Sequence, residues 1–155
     1  MKHTKTLVLS LSIMTTCYIA YFSVQRNTLA PIAPLSSLSA GIPETNSPES
    51  GLAADVINDL AHRMTQQPSL KTYSTEHAIN EINKGTIHCA IIPHEVAAKK
   101  TNSFFVIPIL KHSSHKSALI ISHTHPELLK RTEATLLEMK EDGTLDDFAH
   151  KWNLV

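Results

Sequence analysis

The chain of 155 residues has no surplus of either charge: its 14 lysines and arginines match its 14 aspartates and glutamates. Without a basic excess there is no electrostatic footing for binding nucleic acid. Without an acidic block there is no solvating tail. Cysteine is scarce, and the two present are Cys17 and Cys89. Cys17 lies in an N-terminal apolar segment, which argues against a disulfide between them. Cys89 sits in an apolar run and reads as a small buried residue. The chain has no G-x-S-x-G, no H-E-x-x-H, no phosphate-binding glycine loop and no paired cysteines. No catalytic arrangement is expected, and no cofactor. There is also no internal repeat.

What is present begins with the N-terminus. Lys2 and Lys5 precede an apolar run over residues 7–24, the layout of a secretory signal. Small residues around Ala20 offer a cleavage site. The run is also nearly as long as the ~20 residues that cross a bilayer. Residues 1–27 are therefore a signal peptide or an uncleaved membrane anchor, and either places the rest outside the cytoplasm. Residues 28–50 read as a linker, with Pro31, Pro34, Pro43 and Pro48 among small polar residues. Ser39-Ala40-Gly41-Ile42 is an alternative short first strand within it.

From Gly51 onward the pattern alternates. Leu52, Val56, Leu60 and Met64 make a helix face at a spacing of four. Leu70 to Tyr73 is a short strand. Ser74 or Thr75 caps a helix carrying Ala78, Ile79 and Ile82, which Gly85 ends. The apolar run Ile87 to Ile92 suits a strand buried on both faces. A short helix over residues 95–99, a strand Phe104 to Ile107 stopped by Pro108, and a strand Ala118 to Ile121 follow. Strands alternating with helices predict an α/β domain over residues 51–155, with a mostly parallel sheet flanked by helices.

The last thirty residues are the most specific. Pro126 suits the first turn of a helix. Leu129, Thr132, Leu136 and Met139 form one face of it. Gly143 suits a left-handed helix end, and Thr144 is expected to cap the next helix with Asp147 in capping-box fashion. Leu145, Phe148, Ala149 and Trp152 form the second apolar face.

These two helices resemble the C-terminal end of bacterial extracellular solute-binding proteins of family 3, the type 2 periplasmic binding proteins of amino-acid ABC transporters. The resemblance runs back through Tyr73 to Ala90, Val96-Ala97-Ala98 and Lys116 to Pro126, and covers residues 51–153. It implies a single periplasmic-binding-protein-like lobe, matched to the family's second lobe, plus two C-terminal helices. It also implies a first lobe that is not in this chain. In the family that lobe supplies an arginine for the solute carboxylate and aromatic residues along the cleft, roles with no counterpart here.

The second lobe of the family contributes a Gly-Ser-Thr turn at a helix N-terminus and an aspartate after a strand. The resemblance places the turn near Ser50 and Gly51. It places the aspartate at Pro93, with His94 beside it as a pH-dependent partner. The candidate ligand-binding residues are therefore Ser50, Gly51 and His94. The expected partner is a small polar solute such as an amino acid. An ABC transporter permease or a separate first-lobe protein would complete the system, and the membrane is contacted only through an uncleaved N-terminal segment.

Two alternatives remain on the sequence alone. One is an interaction or vestigial module that keeps the lobe but has lost its solute. The other is a metal-binding protein, because His112, His115, His123 and His125 flank one strand and neutral imidazole binds zinc. Polar loop residues are the simpler reading of these histidines. His88, where the family usually has aspartate, is expected to be a satisfied residue at a strand start.

Overall fold

The structure is a computed structural model that describes residues 37–44, 46–110 and 116–154. The N-terminal segment, Cys17, the first part of the expected linker, His112 and His115 lie outside them. All described residues fall in one compact unit, Leu35–Val155. Among them no helix is long and apolar enough to cross a membrane.

The order of elements is β1 (Ser37–Pro43), α1 (Pro48–Arg63), β2 (Gln67–Tyr73), α2 (Thr75–Asn83), β3 (Cys89–Pro93), α3 (His94–Ala98), β4 (Phe104–Pro108), β5 (Ser117–Ser122), α4 (Pro126–Glu141) and α5 (Thr144–Lys151). The five strands form one sheet in the order β2-β1-β3-β5-β4. Strand β1 runs parallel to both β2 and β3. Strand β5 is antiparallel to β3 and to β4. Four strands thus share one direction and only β5 is reversed, so the sheet is mixed. The physical reason is local: only residues 109–116 separate β4 from β5, too few for the crossover helix that a parallel pair needs.

Strand β1 lies inside the stretch expected to be a linker. It takes in Ser39 to Ile42, the alternative first strand, and its inward residues, Leu38 and Ala40, are fully buried. Pro48 likewise opens α1 rather than ending a linker, with Ser47 as its N-cap.

Side-chain alternation divides the core into two layers. Cys89 and Ile91 of β3, with Leu119 and Ile121 of β5, face α1, α4 and α5. Ala90 and Ile92, with Ala118 and Ile120, face α2 and α3. Both faces are covered, which is why these strands read as unbroken apolar runs. The small residues have reasons. A Cβ on Gly41 would lie 3.0 Å from Ile87 Cδ1.

The C-terminal helices close one face by gripping α1. Leu136, Met139, Leu145 and Ala149 are buried against it. Gly143 adopts φ +85° between α4 and α5. Gly143 itself is the N-cap of α5, and no side chain caps that end. The expected Thr144–Asp147 capping box is absent because the Thr144 hydroxyl turns back to Asp142, at 2.6 Å. Arg63, at the end of α1, meets Asp59 and Asp142 at 2.7 Å each and the Thr144 hydroxyl at 2.9 Å. These hydrogen bonds from Thr144 and Arg63 hold the Asp142 carboxyl down at about 2.

At the other end of α1, Trp152 lies over Gly51. A Cβ on Gly51 would fall 2.4 Å from the indole ring. The indole N–H donates to Asp55 Oδ2 at 2.7 Å, and Lys151 reaches the same oxygen at 2.8 Å. Glycine inside a helix costs about 1 kcal/mol relative to alanine, so its presence here follows from the ring above it. Gly51→Ala in the wild-type background is expected to lose about 1–3 kcal/mol through overpacking. In a Trp152→Ala background the same change should be neutral or stabilising. Urea unfolding of the four proteins in that cycle measures the coupling, and equal costs in both backgrounds would contradict it.

Candidate functional site

The three parallel strands β1, β2 and β3 end together, at Pro43, Tyr73 and Pro93. From β1 the chain passes through α1 to β2 on one side, then through α2 to β3 on the other. Beside β1 the winding direction reverses, and helices entering from opposite faces leave a crevice at the strand ends. A cleft of about 760 Å³ occupies that place. Pro43, Tyr73, Ile91, Ile92 and Pro93 give it an apolar floor and wall. Ser47, Ser74, Thr75 and Ser117 add hydroxyls, and Glu44, Glu49, Glu95 and Lys116 add charge.

Each element brings its residues for local reasons. Ser47 caps α1, its hydroxyl accepting from the Ser50 N–H. Ser74 caps α2, accepting from the His77 N–H. Both capping serines sit where a strand turns into a helix, which puts them at the cleft. The Tyr73 ring stacks on His77, with centroids 5.0 Å apart, and this orients it at the mouth. The Glu44 N–H donates to the Tyr73 carbonyl and extends the β1–β2 ladder past the last strand residues. The His94 N–H donates to the Lys116 carbonyl at 2.9 Å, fastening the start of α3 to the start of β5.

The residues named from the sequence fall beside this cleft rather than on its lining. The Ser50 hydroxyl donates to the Ser47 carbonyl at 3.1 Å. The Gly51 N–H donates to the same carbonyl at 3.2 Å, and its open side is filled by Trp152. His94 is half-buried at the start of α3. Their sequence neighbours Ser47, Glu49, Pro93 and Glu95 line the cleft instead. The serines before the two helices carried a capping signal in the sequence. The glutamates carried none, because exposed acids at helix starts are common whatever the function.

The arginines among the described residues are engaged elsewhere. Arg63 holds the two aspartates, and Arg131 donates to the Met64 carbonyl at 2.6 Å. Among the described residues no group of three or more histidine, cysteine or acidic side chains is placed to hold a metal ion. The ring of His123 packs edge-on against Phe105, while His125 packs against His88. The Cys89 thiol is buried and pushed up to about 12, so it is inert.

His88 occupies the far end of β3 from the cleft. Its N–H donates to the Ser39 carbonyl at 2.9 Å. Its Nδ1 accepts the Ser39 N–H at 3.0 Å, with the Ser39 hydroxyl 2.9 Å away. The imidazole therefore stands in for a backbone carbonyl at the start of the β1–β3 ladder. That geometry fixes the neutral tautomer with its proton on Nε2. Burial, with His125 as a lesser cause, lowers the His88 pKa.

The sequence matches the family model for bacterial extracellular solute-binding proteins, family 3, over residues 40–155. The chain belongs to that family. No curated protein sequence matches it. Its fold is similar to the arginine-bound form of domain 1 from TmArgBP, the ArgBP of T. maritima, at TM-score 0.55 and 14% identity, covering 66% of this chain and 93% of that one. It is also similar to a Bacillus subtilis protein, at TM-score 0.62 and 10% identity, covering 76% of this chain and 89% of that one. A third similarity is to the ancestral amino acid-binding protein AncCDT-1, a precursor of cyclohexadienyl dehydratase, at TM-score 0.61 and 13% identity, covering 76% and 95%. The family and most of these neighbours are binding proteins, and the fold is a single α/β lobe of their kind. The isolated lobe matched is a domain 1, whereas the resemblance read from the sequence points to a second lobe.

The ladder geometry of His88 sets a pH dependence. Above about pH 6.5 the folded and unfolded chains both hold it neutral, and its contribution is complete. As pH falls through that value the unfolded chain takes up the proton first, so stability is lost until the lowered folded-state pKa is passed. His88→Asp keeps an acceptor for the Ser39 N–H and should flatten the loss between pH 7.5 and 5.5. His88→Ala should lose about 1 kcal/mol at pH 7.5. Unfolding midpoints across that range test both, and an unchanged slope in the aspartate variant would refute the assignment.

Proposed function

We propose that this family 3 lobe is a non-catalytic solute-binding protein that holds a small polar solute, such as an amino acid, in the cleft at the ends of β1, β2 and β3. The observation that carries the reading is the position of the cleft. It lies at the carboxyl ends of parallel strands where the winding reverses, the place where open α/β sheets bind ligands. Its lining mixes an apolar wall with a few convergent polar groups, the composition of small-molecule sites. The arginine-bound form recorded for one isolated domain of this fold supports solute binding by a lobe on its own.

The cleft also supports a change of residues. Ser47, Glu49 and Glu95 replace Ser50, Gly51 and His94 as the groups proposed to face the solute. The likeness to a domain 1 favours reading this chain as the family's first lobe joined directly to the C-terminal helices. Both lobes of the family are α/β, so short helix and strand motifs read alike in either. We place the domain start at Ser37, where β1 begins, rather than at Gly51.

The family is described as extracellular. With the signal or anchor expected from the N-terminal sequence, this supports an exported protein that works beside an ABC transporter permease. A separate protein supplying the other lobe is the natural partner for an open cleft.

Solute binding predicts stabilisation of RT ln(1 + [L]/Kd), about 2.7 kcal/mol at a hundredfold excess over Kd. Thermal melts with a broad panel of amino acids and amines at millimolar concentration should show at least one solute that raises Tm by several degrees. A cooperative melt that no solute shifts would support an interaction module instead.

A further inference from the structure

We infer that the outer edge of β2 is a dimer interface. Strand β2 of a second copy pairs with it antiparallel, about a two-fold axis at Leu70, and joins two five-stranded sheets into one.

The backbone register fixes which groups face outward. The Ser39 carbonyl accepts from the His88 N–H, so Ser39 points to β3 and its neighbours Leu38 and Ala40 point to β2. In a parallel ladder such a residue bonds to the groups on either side of its register mate. Ala40 is the mate of Leu70, so Ser69 and Lys71 turn inward. The Tyr73 carbonyl, which accepts the Glu44 N–H, follows the same alternation. Pro68, Leu70 and Thr72 therefore turn their backbone groups away from β1. Among the described residues β1 is the one strand that pairs with β2. Thr72 is exposed and Leu70 partly so.

The opposite edge of the sheet is closed. The Ile109 N–H donates to the Ser117 carbonyl, which turns Phe104, Val106 and Pro108 outward on β4. The Phe104 N–H is taken by the Lys100 carbonyl at 3.1 Å, and Pro108 has no N–H. Sheets close their edges with such devices. On β2 both Leu70 and Thr72 keep outward donors.

These groups fit a second copy of themselves. With Leu70 opposite Leu70 of the second copy, each Leu70 N–H meets the other's carbonyl. Each Thr72 N–H meets the carbonyl of Pro68. Every outward donor is satisfied, and the N–H that proline lacks falls at the two ends of the pairing, where water reaches the Thr72 carbonyl. Lys71 then lies opposite Ser69. A register centred one residue later uses the same donors but sets Lys71 against Lys71, and like charges directly opposite are destabilising.

Helix α1 fits the same axis. It packs over β1 and β2. With strands about 4.8 Å apart, the two copies of α1 run about 10 Å apart, the distance at which helices pack. One flank of α1 is occupied within the lobe, where Asp55 meets Lys151 and Trp152 and Asp59 meets Arg63. The other flank carries Ser50, Ala54 and Asn58 at a spacing of four, all small and partly exposed. Ala54 and Asn58 straddle the middle of α1, as Leu70 stands at the middle of β2.

Cysteine substitution in the full chain reads the register. In a Cys17→Ser background, Leu70→Cys sets two Cα atoms about 5.5 Å apart, within reach of a disulfide. Oxidation should give a covalent dimer. Lys71→Cys should give none, because its two copies stand diagonally across the strands. Sedimentation of the full chain in mild detergent should show a dimer. Thr72→Pro removes an outward donor that the lobe does not use, and should give a monomer with an unchanged circular dichroism spectrum. If that variant does not fold, the Leu70→Cys cross-link decides alone. A monomeric wild type, a dimer that Thr72→Pro leaves intact, or cross-linking through Lys71→Cys instead of Leu70→Cys would each overturn the inference. So would a monomer whose Leu70 and Thr72 amides resist hydrogen exchange, since the chain's own residues would then cover the edge.

Discussion

The contact on which the rest of this lobe depends is the seat of Trp152 on Gly51. It fastens the C-terminal helix to the first turns of α1, where the absence of a Cβ leaves room for the indole. Asp55 completes the seat by accepting from the indole N–H at 2.7 Å. The far end of α1 is tied to the α4–α5 junction through Arg63, Asp142 and Thr144. Those outer ion pairs are partly exposed and worth little individually. The packed ring and the buried residues between the two ends carry most of the hold. Helix α1 begins at the cleft, so the last residues of the chain fix the position of Ser47 and Glu49 there.

The site follows from that arrangement. Strands β1, β2 and β3 end at one level because both pairings of β1 are parallel and in register. Helices from opposite faces then part beside β1 and leave the crevice. The starts of those helices carry the capping serines Ser47 and Ser74 and an acid in each first turn, Glu49 and Glu76. At the other end of β1, His88 closes the ladder with a neutral ring. The two ends of one strand thus carry separate chemistry, a cleft lined by hydroxyls and charges at one and a neutral imidazole in the ladder at the other.

Much of the fold was legible because its signals were local. Pro126 opened α4, Gly143 ended it, and the apolar faces of α4 and α5 were spaced for burial. Strands β3, β4 and β5 announced themselves as apolar runs ended by proline or serine. Strand β1 was legible only as an alternative to a linker, over Ser39 to Ile42, since its burial comes from neighbours distant in sequence. The direction of β5 was hidden too, because periodicity does not encode pairing. The site was less legible. Ser50 and Gly51 were placed by resemblance at a helix N-terminus, and the first turn there does border the cleft. Only the folded chain shows that Ser47 and Glu49 face it while Gly51 faces Trp152. Which residue of a helical turn points where depends on tertiary packing, and no short motif carries that.

The central claim is that solute is held at the ends of β1, β2 and β3. Backbone amide chemical shifts recorded by NMR during titration with the solute that stabilises the protein most would test it directly. The account predicts that the largest shifts fall on Glu44, Ser47, Tyr73 to Thr75, His94, Glu95 and Ser117, with little change along α4. Shifts concentrated around His123 and His125, or spread over α4 and α5, would place the ligand elsewhere and contradict the account.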